Sequence, residues 1–463
     1  MKKNVVTEVV DHELCIGCGL CAALCPEEAL EMAWNRYGEY NPAEVEPCTR
    51  GCGLCLKVCP FADHEEDEDT IGEALYGSVP GIGHRSEVGY HLATFVGYAD
   101  EHRSAGASGG MATWLLERLL AEVIVDHVVC VAPTGDPERL FSFFVFDDPE
   151  GVRTGAGSAY YPVEMSGVVR HILDTPGSYA VTGLPCFIKA IRLAQKKNPK
   201  LRERVVVTVG LVCGQMKSRP FTEYIASLAC LPGKVKEVRY RGKSPDHPAT
   251  NYHYAFTSTA EDERRIFWND GIAEAWTNRW FTPKACNYCD DVFAEVADVT
   301  FMDAWLPDYS RDYRGTNLVV VRSPLIEDLI RRGVQDGGIL AEPVPVEDVI
   351  RSQAAVVEIK RRHLAHRLYL DLEMGREVLR KRVRPAREKS PLLRREIALK
   401  DRMRGSSRAF WAESEDQDAG RLREAMGPDL KRLSRGRTTA WIMALPIRIV
   451  IYVQGHLRGN HHE

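Results

Sequence analysis

The chain has 463 residues, a formal net charge of −5 and 27% charged side chains; that length fits two or three domains of ordinary size, and the mildly acidic balance gives no electrostatic footprint for nucleic acid. No uninterrupted apolar run reaches the roughly 18 residues of a membrane span. Met1-Lys2-Lys3-Asn4 opens no signal-peptide pattern, so the expected compartment is the cytoplasm.

The first element, residues 5–10, reads as a short strand-like run of valines. Eight of the 14 cysteines follow within the first 60 residues. In a reducing compartment such density points to metal rather than disulfides. The first run is Cys15-x2-Cys18-x2-Cys21-x3-Cys25-Pro26, the spacing by which bacterial ferredoxins hold [4Fe–4S] clusters. The second, Cys48-x3-Cys52-x2-Cys55-x3-Cys59-Pro60, repeats the plan with one extra residue in its first gap. Three thiolates at short spacing wrap one cube, and the fourth reaches the other. Crossed ligation then assigns Cys15, Cys18, Cys21 and Cys59 to one cluster and Cys25, Cys48, Cys52 and Cys55 to the second. Gly17, Gly19, Gly51 and Gly53 permit tight turns that bring backbone N–H groups near sulfur. Structural zinc is the alternative reading of short C-x2-C units, but both runs end in x3-C-P. The charge run at 63–69 reads as a solvated linker closing a module of about 60 residues.

Beyond residue 92 or so the texture becomes α/β. Strands are expected at 91–98, 126–132, 179–182 and 205–212, and helices at 108–125, 187–197 and 219–228; later strands are expected at 299–304 and 317–322. Apolar strands alternating with helices argue for a mainly parallel sheet. After about 360 the chain is rich in Arg and Lys at helical spacing, with a break expected at 405–420. A basic helical tail of this kind most often presents a solvated face, with a partner or a membrane surface as the other readings. Residues 441–453 are too short to span a bilayer and carry Pro446 and Arg448; they read as an interfacial or packing segment.

Residues 103–110 (RSAGASGG) precede the helix expected from Met111, with Ser108 as its N-cap. Small residues and free N–H groups at a helix start suit a pyrophosphate. A cluster moves single electrons, whereas organic substrates usually take pairs; a flavin converts between the two, so a ferredoxin module fused to an α/β body argues for one. Four further cysteines stand apart: Cys186 and Cys213, each just after a strand, and Cys286 and Cys289 in CNYC. Strand ends of a parallel sheet share an edge, so these four can close a cage for a third [4Fe–4S] cluster or zinc. The other reading is that Cys186 and Cys213 are buried packing residues and Cys286 and Cys289 a redox dithiol. Cys130 and Cys230 read as packing.

The ordered set SAGASGGMATWLLERLL, TGAGSAYYP, TGLPCFIKAIR, GLVCGQ and CNYCDD…ADVTFMDAW resembles the family of coenzyme F-420 hydrogenase/dehydrogenase beta subunits over residues 1–325 or so. That family includes subunits of deazaflavin-reducing hydrogenases and of deazaflavin dehydrogenases, a chlorophyll-pathway hydroxymethyl reductase and a ferredoxin-dependent vinyl reductase. The resemblance implies FAD in the α/β body, with Ser108, Gly109 and Gly110 near its phosphates and Gly157, Ser158 and Tyr160 lining the flavin pocket. It also implies that Cys186, Cys213, Cys286 and Cys289 ligate a third cluster. The chain departs from the family pattern at Ala159, where lysine is common, and at Met302-Asp303, where Gly-Asp is usual.

The expected fold is α/β: a ferredoxin-like 2[4Fe–4S] domain (1–64), a linker (65–90), a mainly parallel flavin-binding body (91–165 and 166–345, the latter with the third cluster) and a basic helical tail (346–463). The expected function is an iron–sulfur flavoprotein oxidoreductase exchanging electrons with a deazaflavin or another organic acceptor; the alternative is an electron-relay subunit without its own substrate. The expected partner is a redox protein, either a ferredoxin or a subunit of a hydrogenase or dehydrogenase, with peripheral membrane contact through the tail and a homo-oligomer also open. His102, Tyr160 and Asp303 are candidate proton donors, each with a packing or capping role as the alternative.

Overall fold

A computed structural model of the chain describes residues 3–63, 65–415 and 417–436. The strand expected at 5–10 is instead a wide helical turn, Val6–Val10. Asn4 decides this: its Oδ1 accepts from the N–H groups of Val6 (2.8 Å) and Thr7 (3.1 Å). Val5 and Val9 then fall on one face and are buried against the cysteine loops. Burial and capping outweigh the strand preference of β-branched residues, which is weak and context-dependent.

The rest of the N-terminal module is pseudo-repeated. An antiparallel hairpin, Leu30–Trp34 with Tyr40–Glu44, lies between two short helices, Leu20–Ala23 and Leu54–Lys57. Each helix is entered from a left-handed glycine, Gly19 (φ 84°) and Gly53 (φ 65°), a conformation that side-chain-bearing residues avoid. The module's core is continuous with that of the body. Val9, Leu20 and Val58 pack in one cluster with Val169, Ile172 and Ile191 of the helices Ser166–Asp174 and Pro185–Lys197. The Met165 N–H donates to the Cys18 carbonyl across that seam at 3.0 Å.

The body is built on an eight-stranded sheet, in the order Leu340–Pro343, Ala93–Tyr98, Asn317–Val321, Val299–Asp303, Val205–Leu211, Tyr179–Gly183, His127–Asp136 and Arg139–Phe146. The four strands beginning at Val299, Val205, Tyr179 and His127 are mutually parallel, and the remaining pairings are antiparallel. Helices cover both faces, which is why the central strands are apolar without alternation. Met111–Ala121 and Pro324–Gln335 pack on one face. Ser166–Asp174, Pro185–Lys197 and the N-terminal module pack on the other. A second, antiparallel sheet of Val235–Gly242, His253–Ser258 and Glu263–Phe267 joins an aromatic core around Tyr240, Tyr254 and Phe221.

The described part of the segment after residue 360 is not the wholly solvated face its composition suggests. Lys360, Arg367, Lys400 and Arg408 are buried. Arg367 makes a two-pronged pair with Asp401 (2.8 Å each), and Arg382 another with Glu295 (2.6 and 2.9 Å). Arg408 reaches Glu39 of the N-terminal module at 2.8 Å. Arg367, Arg382 and Arg408 are thus buried halves of ion pairs, and through them the segment straps body and module together. The break expected at 405–420 falls only in the later part of that stretch: a single helix, Pro391–Glu413, runs through Gly405 and ends at Ser414, and helix resumes at residue 419. A mid-helix glycine costs about 1 kcal/mol, less than the burial of Ile397, Met403 and Trp411 on the same helix returns. Among the described residues no helix is long and apolar enough to cross a membrane. Residues 441–453 lie outside the described residues.

Candidate functional site

Three groups of thiols lie along the chain's fold. Cys15, Cys18, Cys21 and Cys59 form the first. Burial, then the neighbouring Cys15, pushes the Cys59 thiol up to about 12; burial, then Cys59, pushes Cys18 well up. Cys59, from the second cysteine run, thus lies near Cys15 and Cys18 of the first. The Gly17 N–H points at Cys15 Sγ at 3.3 Å. Cys25, Cys48, Cys52 and Cys55 form the second group and line one small cavity with Gly51 and Gly53. Cys52 is exposed, so this group marks the outer edge of the module.

The third group is drawn from distant positions. Cys186 opens the helix that follows the strand Tyr179–Gly183, and Cys213 follows the strand Val205–Leu211. These strands are parallel neighbours with Gly183 opposite Gly210, so the two cysteines emerge at one sheet edge. Cys286 and Cys289 come from the turn Lys284–Tyr288 and the residue after it. Burial raises the Cys186 thiol well above its ordinary value, and Cys289, Cys213 and Cys286 each raise it further. Burial holds Cys213 at about 12. Cys286 Sγ accepts the Met216 N–H at 3.3 Å, and Cys289 Sγ accepts from Lys360 Nζ at 3.0 Å. Burial pulls the Lys360 ammonium down, but Cys289 and Cys213 overcome it and hold it well above its usual value.

All three groups offer four thiols, the donor chemistry of cluster sites. In the first and third, buried thiols that raise one another's pKa ionise when positive charge is placed among them, and a coordinated thiol is deprotonated outright. Among the described residues no set of His, Cys, Asp and Glu has single-ion geometry; a cube takes one thiolate at each iron corner.

The third group abuts a cavity of about 970 Å³, whose wall includes Cys213, Gly214, Gln215 and Met216. Ser108, Gly110, Gly157, Ser158 and Tyr160 line it as well. Gly109 stands behind them: a Cβ there would come within 2.7 Å of the Gly97 carbonyl, so this glycine serves close packing on the sheet. Ser108 is not the N-cap. Its hydroxyl donates to the Thr316 carbonyl at 2.7 Å, and the helix starts from left-handed Gly110. Asn317 Oδ1 accepts the Met111 N–H at 3.1 Å in the capping role. Lys243 fixes the glycine loop from below, donating to the carbonyls of Ser108 (2.7 Å), Arg314 (2.6 Å) and Arg103. Burial, then Arg241 and Arg103, pushes Lys243 down to about 7.

Two of the three candidate proton donors face this cavity. Asp303 forms a two-pronged pair with Arg241 (2.8 and 3.1 Å), and the Tyr160 hydroxyl lies 3.5 Å from the same guanidinium. Arg241 also stacks on Tyr252, 4.0 Å from the ring centre. His102 instead faces Glu117, 3.5 Å away. Cys130 lines the cavity as a buried wall residue, whereas Cys230 is exposed and so is not packing. Sequence reasoning missed the cations of the small sheet: Lys236, Arg239, Arg241, Arg264 and Arg265 all line the cavity. The only sequence signal was the basic texture of VKEVRYRG and ERRIF, which is ordinary for an exposed hairpin.

The family described as "Coenzyme F420 hydrogenase/dehydrogenase, beta subunit" matches in two parts, its N-terminal part over residues 94–170 and its C-terminal part over residues 177–347. A "4Fe-4S dicluster domain" matches residues 8–64. One of the subunits of the F(420)H(2) dehydrogenase of Methanosarcina mazei is 21% identical over 373 residues, covering 77% of this chain and 92% of that protein. A chain from the F420-reducing [NiFe] hydrogenase complex of Methanosarcina barkeri aligns at 17% identity with a TM-score of 0.49, over 65% of this chain and 99% of that one. The residues after 347 lie outside all three family matches.

Proposed function

Because the chain belongs to the family of coenzyme F-420 hydrogenase/dehydrogenase beta subunits, with a 4Fe-4S dicluster domain at its front, we propose that it is an iron–sulfur flavoprotein oxidoreductase. In this reading Cys15, Cys18, Cys21 and Cys59 hold one [4Fe–4S] cluster, Cys25, Cys48, Cys52 and Cys55 a second, and Cys186, Cys213, Cys286 and Cys289 a third. Ser108, Gly110, Gly157, Ser158 and Tyr160 hold FAD. When bound, the clusters supply one-electron transfer and the flavin supplies two-electron exchange with a deazaflavin or another organic acceptor.

The observation that carries the reading is the shared wall: Cys213 belongs to the third thiol group and to the lining of the cavity beside the glycine loop. The protein's own residues then have definite tasks. Lys243 pins the loop backbone so that its N–H groups stay available to a phosphate. The Arg241–Asp303 pair fixes the polar end of Tyr160. Arg239, Arg264 and Arg265 of the small sheet favour an anionic ligand at the cavity, whereas Arg241 and Lys236 are paired with Asp303 and Glu261. The exposed Cys52 edge suits docking of a redox partner protein, and a cytoplasmic location fits the cysteine usage.

The test is anaerobic incubation of the purified full chain with reduced deazaflavin, reduced ferredoxin or reduced nicotinamide, following flavin absorbance. Bleaching by reduced deazaflavin supports the proposal. Bleaching by the protein donor alone supports the relay alternative, and zinc without flavin contradicts both.

A further inference from the structure

We infer that Lys360 is a positioning residue for the third cluster, holding the Cys289 thiolate and raising the cluster's reduction potential; the inference rests on the reading that Cys186, Cys213, Cys286 and Cys289 ligate a cluster. Lysine is among the residues least often buried unless paired, yet Lys360 is 3% exposed. Its ammonium donates to Cys289 Sγ at 3.0 Å and to the Asp291 carbonyl at 2.6 Å. Neither acceptor is a carboxylate; the buried Asp291 carboxylate acts on the ammonium without bonding it, so the closest charged partner for Lys360 is the Cys289 sulfur.

The backbone is shaped for this contact. Lys360 sits in a wide π turn, Ile359–His363, between the helical segments Ala354–Glu358 and Leu364–Glu373. Such turns insert a residue into an α-helix, re-aim side chains and are frequent at functional sites. Two other buried cations stand near Cys286 but spend their donors elsewhere or nowhere. Lys217 donates to the Trp280 carbonyl (2.7 Å) and the Thr282 hydroxyl (3.2 Å). Arg279 has Nε and one terminal nitrogen without a partner. Among these three, Lys360 is the cation seated on a sulfur of the cage.

The step it acts on is a one-electron couple. The cluster gains one electron from a neighbouring cube or from the reduced flavin and passes one on, and no bond forms or breaks. Each reduction adds one negative charge to a buried cage of four thiolates. A fixed cation at hydrogen-bonding distance stabilises the reduced form more than the oxidised one, and hydrogen bonds to sulfur and local charge are established levers on cluster potential. Electrons from the N-terminal module would therefore collect beside the cavity. Because Lys360 lies past residue 347, this control belongs to the C-terminal strap and not to the matched family segments.

Redox titration of the anaerobic full chain, followed by electron paramagnetic resonance, tests this with Lys360→Met and Lys360→Gln. The expected result is a shift of one cluster signal to more negative potential in Lys360→Met, with the two N-terminal signals unmoved. If Lys360→Met loses the third cluster, Lys360→Gln, which keeps an N–H donor without the charge, carries the comparison. A negative shift in Lys360→Gln supports the inference. Full iron content with unshifted potentials in the variant that retains the cluster overturns it. Wild-type protein with roughly eight iron instead of roughly twelve would overturn the third-cluster reading itself, a distinguishable failure.

Discussion

In the N-terminal module every candidate ligand lies between Cys15 and Cys59, on two short loops that turn through left-handed glycines. The third thiol group gathers Cys186 and Cys213 from two strand ends and Cys286 and Cys289 from a later turn. Its lysine comes from 71 residues further along the chain than Cys289. One kind of site is written in local spacing and takes all its thiols from its own loops. The other exists only once the sheet, the turn after it and the C-terminal strap are all in place, so damage far from sulfur should empty the third site and spare the first two.

Deleting residues 360–463 pushes that contrast hardest. The deletion removes Trp411, Met403, Ile397 and Leu422 from the core, each contributing about 1.5–3 kcal/mol of burial, a sum comparable to the whole stability of a typical domain. The expected outcome is loss of the near-ultraviolet circular dichroism of the body's aromatic core. A body that retains that signal and its third cluster would show that the strap is dispensable.

Arg382→Met is the next largest. It removes the two-pronged partner of Glu295, leaving that carboxylate, among the described residues, only Arg361 at 3.6 Å, and takes one of the cations beside Glu68 and Asp290, which keep Lys189 and Lys381. Breaking one half of a buried ion pair costs about 3–5 kcal/mol, measurable as a lower denaturant midpoint. Cys213→Ala then separates the sites without unfolding the chain: iron should fall from roughly twelve to roughly eight per chain, with the N-terminal cluster spectrum retained. The smallest effect is expected from Gly53→Ala. Its φ of 65° leaves space around it but disfavours a Cβ, costing about 1–2 kcal/mol and acting on the outer cluster of the module alone.

The same contrast explains how much was legible beforehand. A two-cluster module could be read, and the 4Fe-4S dicluster domain match over residues 8–64 agrees with it, because the cysteine spacing of such modules repeats every two or three residues. The central strands could be read because burial on both faces leaves short apolar runs without alternation, as in NLVVV. One miss was local: Asn4 turned the following valine run into a helix. The others depended on distant partners, as when Ser108 was drawn from capping to a bond with Thr316. The basic tail proved to be a buried strap because Asp401, Glu295 and Glu39, scattered through the chain, meet its arginines. Lys360 and the cations of the small sheet carry no motif at all, and only the folded arrangement brings them to sulfur and cavity.

Whether three cubes and a flavin share one chain is decided by counting them. Full-length protein purified and reconstituted without oxygen should contain roughly twelve iron with matching labile sulfide, and acid treatment should release a single flavin identifiable as FAD. Colourless protein with neither iron nor flavin, or protein in which zinc replaces the iron, contradicts the reading of both kinds of site.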